Sequence, residues 1–271
     1  MLNLAKSSAG RWFALASFGL LTSFNPVRSN QNQAKNGYYV FFDLGDVLLE
    51  TNGTKFFGNN KANFFKYLFK HGLPNKELLR KRLFELMDHQ TQLPRGTATN
   101  GNEMLPGIMC AWLEGKISSE QFVATVTNIK VTDPFFKSKT EAKILLNMVR
   151  LMLPDQLIDT HQTTSTLKIF QDCCQHDASR VCILSNWDKS SISLLKAKFP
   201  EIFAKIKSHQ IIFSGELGCK KPDPDVYRLA ASKLGVNPCR CVLIDDQVVN
   251  IAAARSCGWK GIVHCDKNET A

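Results

Sequence analysis

Tyr38-Tyr-Val-Phe-Phe-Asp-Leu-Gly-Asp-Val-Leu-Leu49 opens with five aromatic or β-branched residues in a row, turns acidic at Asp43 and reaches a glycine at Gly45. An apolar run that is continuous rather than alternating predicts a strand covered on both faces, as in a buried parallel sheet. Two later stretches have the same character. Arg180-Val-Cys-Ile-Leu-Ser185 and Cys241-Val-Leu-Ile-Asp245 each pass from apolar to polar at their C-terminal ends. Weaker runs at 210–214 and 261–264 supply two more candidate strands. Between the later strands, residues 190–199, 224–234 and 250–257 read as helices, and Gly258 supplies a stop. Strands alternating with helices predict an α/β protein with a doubly wound parallel sheet. Ligands of such sheets sit beyond the carboxyl ends of the strands, where Asp43, Ser185 and Asp245 fall.

No run of comparable quality interrupts residues 54–154. Apolar residues recur there at three- and four-residue steps over 62–70, 76–88, 103–113, 119–127 and 139–152. Ser118-Ser119 ahead of Gln121-Phe122 predicts a helix cap. A helical stretch of this length between the first strand and the rest of the sheet predicts an inserted α-helical domain at 54–154. The sheet core is then made of 38–53 and 155–265.

The 271 residues are 44% hydrophobic and 21% charged, which excludes disordered, collagen-like and simple coiled-coil proteins. A formal charge of +10 favours anionic partners without naming one. Much of it lies in residues 54–90, which also contain many aromatics. At helical spacing the aromatics read as core and the charges as a solvated face, so nucleic acid is not an expected partner. At the N-terminus, Lys6 and Arg11 precede the mostly apolar segment 12–24, too short and too polar to span a bilayer. Its layout fits a secretory signal ending near Ser29, and a polar linker completes residues 1–37. Nine cysteines without a CxxC pair argue against a disulfide framework and read as buried free thiols in a reducing compartment. The expected location is cytoplasmic, with export through the N-terminal segment as the alternative and no stable membrane association.

Four constellations carry chemistry. Asp43 followed by Gly45 suits a metal ligand or a covalent nucleophile, because the glycine lets the backbone approach a ligand at the mouth of the sheet. Ser185 and Asn186 present a strand-end hydroxyl and a neighbouring backbone N–H to a phosphoryl oxygen. In Gly218-Cys-Lys-Lys-Pro-Asp-Pro224, Lys221 is held extended by the following proline, where its charge neutralises both a nucleophile and a transferring group. Lys220 reads as a solvated loop charge. In Leu243-Ile-Asp-Asp-Gln247 the adjacent Asp245 and Asp246 repel each other unless a cation is near. A hard divalent ion shared with Asp43, Mg²⁺ by default, is the economical explanation. Taken singly, each constellation also has an ordinary reading: a turn cap, a strand end, a basic loop. Asn250 either hydrogen-bonds this loop or starts the next helix, and Trp187 and Asp188 either touch substrate or lie at the domain boundary.

In this order the four constellations resemble the motifs of the haloacid dehalogenase (HAD) superfamily of aspartate-nucleophile hydrolases. The resemblance covers 38–51 and about 155–265. Residues 54–154 are similar to the helical cap of the subfamily containing sugar-1-phosphate phosphatases and haloacid dehalogenases. Trp112-Leu-Glu-Gly-Lys-Ile-Ser-Ser-Glu-Gln-Phe122 is similar to a Gly-x-Ile-Ser cap segment common there. The resemblance implies that Asp43 attacks phosphorus to form an aspartyl-phosphate, which water hydrolyses, with Ser185, Asn186 and Lys221 fixing the phosphoryl group. It implies Mg²⁺ held by Asp43, the Gly45 carbonyl and Asp246, with Asp245 a direct or indirect partner. The expected function is a Mg²⁺-dependent phosphatase for a small phosphomonoester, a sugar phosphate or nucleotide-like metabolite, steered by the charge of Lys66, Lys70, Arg80 and Arg82.

One position departs from the pattern. Phosphatases of this superfamily mostly carry a second Asp two residues after the nucleophile, as general acid and base; here that residue is Gly45, and Asp46 follows it. Asp46 either substitutes for the missing acid or caps the turn. Two alternatives keep Gly45 in place: a metal-free dehalogenase, which leaves the Asp245-Asp246 pair without a purpose, and a pocket that binds without turnover.

Overall fold

A computed structural model describes residues 37–52, 76–96 and 104–265. The chain divides into residues 1–37 and residues 38–271, and the fold belongs to the second unit. The signal-like segment and the expected helix at 62–70 lie outside the described residues.

The strands are β1 (Tyr39–Phe42), β2 (Leu49–Thr51), β3 (His161–Thr163), β4 (Val181–Ser185), β5 (Ile211–Phe213), β6 (Cys241–Asp245) and β7 (Lys260–Val263). Five of them form one parallel sheet in the order β5-β4-β1-β6-β7, as the five apolar runs predict. Register aligns Phe42 with Ile183 on one side and Ile244 on the other. The next residue, Asp43, therefore leaves the sheet level with Asp245, and its N–H donates to the Ile244 carbonyl at 2.9 Å.

Alternation along β1 divides the core in two. Phe42 points into a cluster with Ile183, Phe213, Phe170, Leu195 and Ile202, formed with helices α6 (Leu167–Asp177), α7 (Ile192–Lys198) and α8 (Pro200–Phe203). Phe41 points the other way, to Cys182, Leu243, Tyr227, Ala230 and Ile251, beneath α10 (Pro224–Leu234) and α11 (Val248–Ser256), which follow the short α9 (Ser214–Leu217). With both faces covered, the central strands need apolar residues at every position, hence their unbroken runs. The expected helix at 190–199 is α7, and Pro200, which cannot continue it, opens α8.

Between β2 and β3 the described helices are α1 (Lys76–Thr91), α2 (Gly107–Leu113), α3 (Ser119–Thr127), α4 (Lys139–Arg150) and α5 (Pro154–Asp159). Leu83, Leu86, Met87, Trp112, Phe122 and Leu145 gather into a core of their own. Ser118 caps α3 as expected: its hydroxyl accepts from the Gln121 N–H at 3.2 Å and its own N–H donates to Gln121 Oε1 at 2.8 Å. Helix α2 begins at Gly107 rather than near 103, since Pro106 keeps the residue before it out of the helical region.

Three expectations are corrected. Lys220 is buried, not solvated, because the helical segment covers its loop and sets the Cys110 thiol beside its amine. Arg82 is no free surface charge: its guanidinium bonds Glu85 at 2.5 Å, Glu141 at 2.9 Å and the Phe135 carbonyl at 2.9 Å. It holds α1 to α4 and cannot steer a ligand. All nine cysteines are free, but Cys239 and Cys265 are exposed rather than buried. Among the described residues no helix is long and apolar enough to cross a membrane.

Candidate active site

Every strand of the sheet runs in one direction, so the constellations read from strand ends meet at one edge. At its centre is Lys221, 1% exposed. Its amine lies 2.9 Å from Asp43 Oδ2 and 2.6 Å from Asp245 Oδ2. Burial alone would lower the lysine's pKa; the carboxylates of Asp245 and Asp43 outweigh it and raise the pKa above its ordinary value. The ammonium is therefore a fixed charge of the site at every physiological pH.

The carboxylates are not equivalent. Asp245 is fully committed: besides Lys221 it accepts from the Gln247 N–H and from Asn250 Nδ2, each at 2.9 Å. Asn250 thus does bond this loop, while also lying inside α11. Asp43 accepts from the Leu44 N–H at 2.7 Å, and its pKa is raised to about 6, chiefly by burial, with Lys221 opposing and Asp245 adding to the rise. Asp246 is raised to about 7 by burial and by the charges of Asp43, Asp245 and Asp46. One oxygen from each of Asp43, Asp245 and Asp246 lies within 4.8 Å of the others. Two carboxylates held well above their ordinary range beside a third mark excess negative charge that a hard divalent cation would balance.

The remaining site residues separate. Ser185 is buried at the end of β4, where its hydroxyl hydrogen-bonds the Asp43 carboxylate. Gly45 sits at the turn, bridged to Leu49, and a Cβ added there would meet nothing within 4 Å. Asp46 is exposed with φ of +53°, and its N–H donates to the Leu49 carbonyl at 2.7 Å. Its charge is nonetheless felt at Asp246. Asn186 turns away from the sheet edge and binds the main chain of Lys221. Trp187 packs its ring against His161, with centroids 5.3 Å apart, and Asp188 lies at the boundary with the helical segment.

Known proteins resemble this chain over part of its sequence and in its overall fold. A 42% identity over 84 residues relates the chain to a CBBY-like protein of Arabidopsis thaliana, covering 31% of this chain and 25% of that protein. The Arabidopsis chloroplast protein Flavin mononucleotide hydrolase 1 is 42% identical over 45 residues, 17% of this chain and 18% of its own length. The chain therefore matches a quarter or less of these curated relatives. In overall fold it is similar to a HAD family enzyme of Bacteroides thetaiotaomicron solved with magnesium and inorganic phosphate. That likeness has a TM-score of 0.52 at 15% identity, over 86% of this chain and 97% of the other. A protein described as a dehalogenase is similar at a TM-score of 0.52 and 16% identity, over 87% and 88%. The model of haloacid dehalogenase-like hydrolases matches residues 39–258, from β1 to just past α11, and the chain belongs to that family.

Proposed function

We propose that the protein is a Mg²⁺-dependent phosphatase acting on a small phosphomonoester, with the helical segment at 54–154 as the cap over its site. The observation that carries this reading is the position of Lys221 between Asp43 and Asp245, with Asp246 completing a carboxylate cluster that a divalent cation would balance.

In this reading an Asp43 carboxylate oxygen attacks phosphorus and the bond from phosphorus to the ester oxygen breaks. Water then cleaves the aspartyl-phosphate. Lys221 and Ser185 already touch the Asp43 carboxylate, so the groups that hold it in place are also the ones that meet the incoming phosphoryl oxygens. The donor set suits Mg²⁺: Asp43, Asp246 and the Gly45 carbonyl would hold it, and it supplies positive charge against the phosphoryl oxygens. Asp245 is the anchor that aims Lys221, since each of its oxygens already has a protein partner. Gly45 offers no proton to the leaving oxygen, and Asp46, the next residue, is the carboxylate that would take that role.

The substrate is a metabolite rather than nucleic acid. A sugar-1-phosphate fits the resemblance of the cap, and the name of one partial relative adds flavin mononucleotide to the panel. Nine free thiols favour a reducing compartment, the cytoplasm, over export.

The test is hydrolysis of p-nitrophenyl phosphate and of a panel of metabolite phosphates, with and without Mg²⁺, using Asp43→Asn as the blank. A phenolate leaves without a proton donor, so the aryl ester reports the nucleophile even where Gly45 weakens general acid catalysis. Turnover that survives thorough chelation would overturn the Mg²⁺ reading in favour of metal-free chemistry.

A further inference from the structure

The Gly-x-Ile-Ser stretch at residues 115–118 takes no part in the chemistry above, yet it lies in a closely built contact between the helical segment and the sheet core. Gly115, with φ of +69°, lies against Gly215 so closely that a Cβ on it would come within 2.2 Å of the Gly215 carbonyl oxygen. Just before it, the Leu113 carbonyl accepts from the Ser214 hydroxyl at 2.6 Å, and that hydroxyl accepts from the Trp187 N–H at 3.0 Å. Just after it comes a buried polar chain. Trp112 Nε1 donates to Ser119 Oγ at 2.9 Å, and Ser119 Oγ donates to Asp188 Oδ1 at 3.0 Å. Asp188 also accepts from the Ser191 N–H at 3.0 Å and the Ser191 hydroxyl at 2.6 Å.

Asp188 is 2% exposed, and its carboxylate is met by neutral donors, the Ser119 and Ser191 hydroxyls and the Ser191 N–H. A buried carboxylate is costly unless its hydrogen bonds are made. Here one of them comes from the helical segment, so the carboxylate is satisfied within the protein only while that segment is seated. The same loop begins at Ser185, three residues before Asp188, and Asn186 within it holds Lys221. The contact that seats the helices is therefore continuous with the one that places the phosphate-binding groups.

We propose that Asp188 is a positioning residue: its buried carboxylate, bridging Ser119 of the cap and Ser191 of the core, seats the α2–α3 turn on the loop that carries Ser185. The catalytic consequence rests on the phosphatase reading; the seating does not.

Two measurements separate these parts: hydrogen–deuterium exchange, and kcat and KM on p-nitrophenyl phosphate with Mg²⁺. In Asp188→Ala, amides 116–123 should exchange at least about tenfold faster while β4 and β6 keep their protection. The kcat should fall at least about tenfold, with KM moving less than about threefold. Asp188→Asn, which can still accept from Ser119 and Ser191, should recover most of kcat. Should Asp188→Ala fail to fold, Ser119→Ala removes only the cap's half of the bridge and should give the same two signatures. Unchanged exchange at 116–123 would overturn the seating. Faster exchange with unchanged kcat would overturn the positioning role. A wild-type protein without turnover would refute the phosphatase reading and the positioning of its catalytic groups, while the exchange data still decide the seating.

Discussion

Asn186 and Lys221 exchange two hydrogen bonds. Asn186 Nδ2 donates to the Lys221 carbonyl at 2.8 Å, and Asn186 Oδ1 accepts from the Lys221 N–H at 2.8 Å. This two-point grip fixes the lysine's main chain, so its long stem needs little further ordering to reach Asp43 and Asp245. Asn186→Ala should lower kcat on p-nitrophenyl phosphate by about 10–100-fold, an effect of misplacement. The stability loss should be only about 1–3 kcal/mol for the two bonds. Steady-state kinetics beside urea unfolding checks this. A loss confined to stability would show that the grip does not serve the lysine's aim.

Replacing the central charges should move activity in one direction and stability in two. Asp43→Asn removes the nucleophile and also a carboxylate whose burial holds its own pKa near 6. Turnover should drop by at least about 10³-fold, while the melting temperature in metal-free buffer at pH 8 should stay level or rise. Lys221→Ala leaves Asp43 and Asp245 buried without their cation and should cost about 3–5 kcal/mol. Thermal melts of the two variants side by side distinguish these outcomes, and a destabilised Asp43→Asn would contradict the charge assignment.

The raised carboxylates fix a pH dependence. Asp43 at about 6 and Asp246 at about 7 lie above the ordinary 3.8 of an aspartate. Well below pH 3.8 both groups are protonated in the folded and unfolded chains alike. As pH rises through that value the unfolded chain releases its protons first, so these two groups lower the stability of the metal-free protein, and the loss is complete only about a unit above the folded value near 7. Metal binding requires the ionised forms. Mg²⁺ should therefore raise the melting temperature more at pH 8 than at pH 5, and equal shifts at both would refute the link.

Space at Gly45 allows a gain-of-function test. A Cβ there meets nothing within 4 Å, so Gly45→Asp should fold and place a carboxyl two residues from Asp43. General acid catalysis is worth about 10²–10⁴-fold, and it matters most for leaving groups that need a proton. Turnover of an alkyl phosphate should rise at least about tenfold, and that of p-nitrophenyl phosphate much less. Equal effects on both esters would mean that the new carboxyl acts by something other than proton donation.

The sheet and its catalytic edge were legible because burial on both faces writes unbroken apolar runs, and each run broke at a polar residue that lies at the edge. Asn186 was harder to place. Its amide partner is Lys221, thirty-five residues on, and no local pattern separates a side chain that binds a main chain from one that meets substrate. The β2–β3 pair left no signal either: Leu-Glu-Thr and His-Gln-Thr are three-residue, half-exposed strands without an apolar run. Helix α5 was missed for its brevity. Lys220 and Arg82 look like ordinary surface charges in sequence, and only the packing of the inserted helices shows that one is buried and the other ion-paired.

The antiparallel pair has a consequence for how such a chain can vary. At its end the Asn52 N–H donates to the Thr160 carbonyl at 2.7 Å and Asn52 Nδ2 to Gln162 Oε1 at 2.6 Å, so the chain departs for the helices and returns from them at one clasp. To the sheet, everything between is one hairpin loop. Closing a flexible loop costs only about 0.6 kcal/mol more for each doubling of its length, so the core is almost indifferent to how large that loop is. With the clasp at Asn52 and Thr160, the inserted segment can be lengthened, shortened or exchanged while the sheet and the three strand ends that carry Asp43, Ser185 and Asp245 stay as they are.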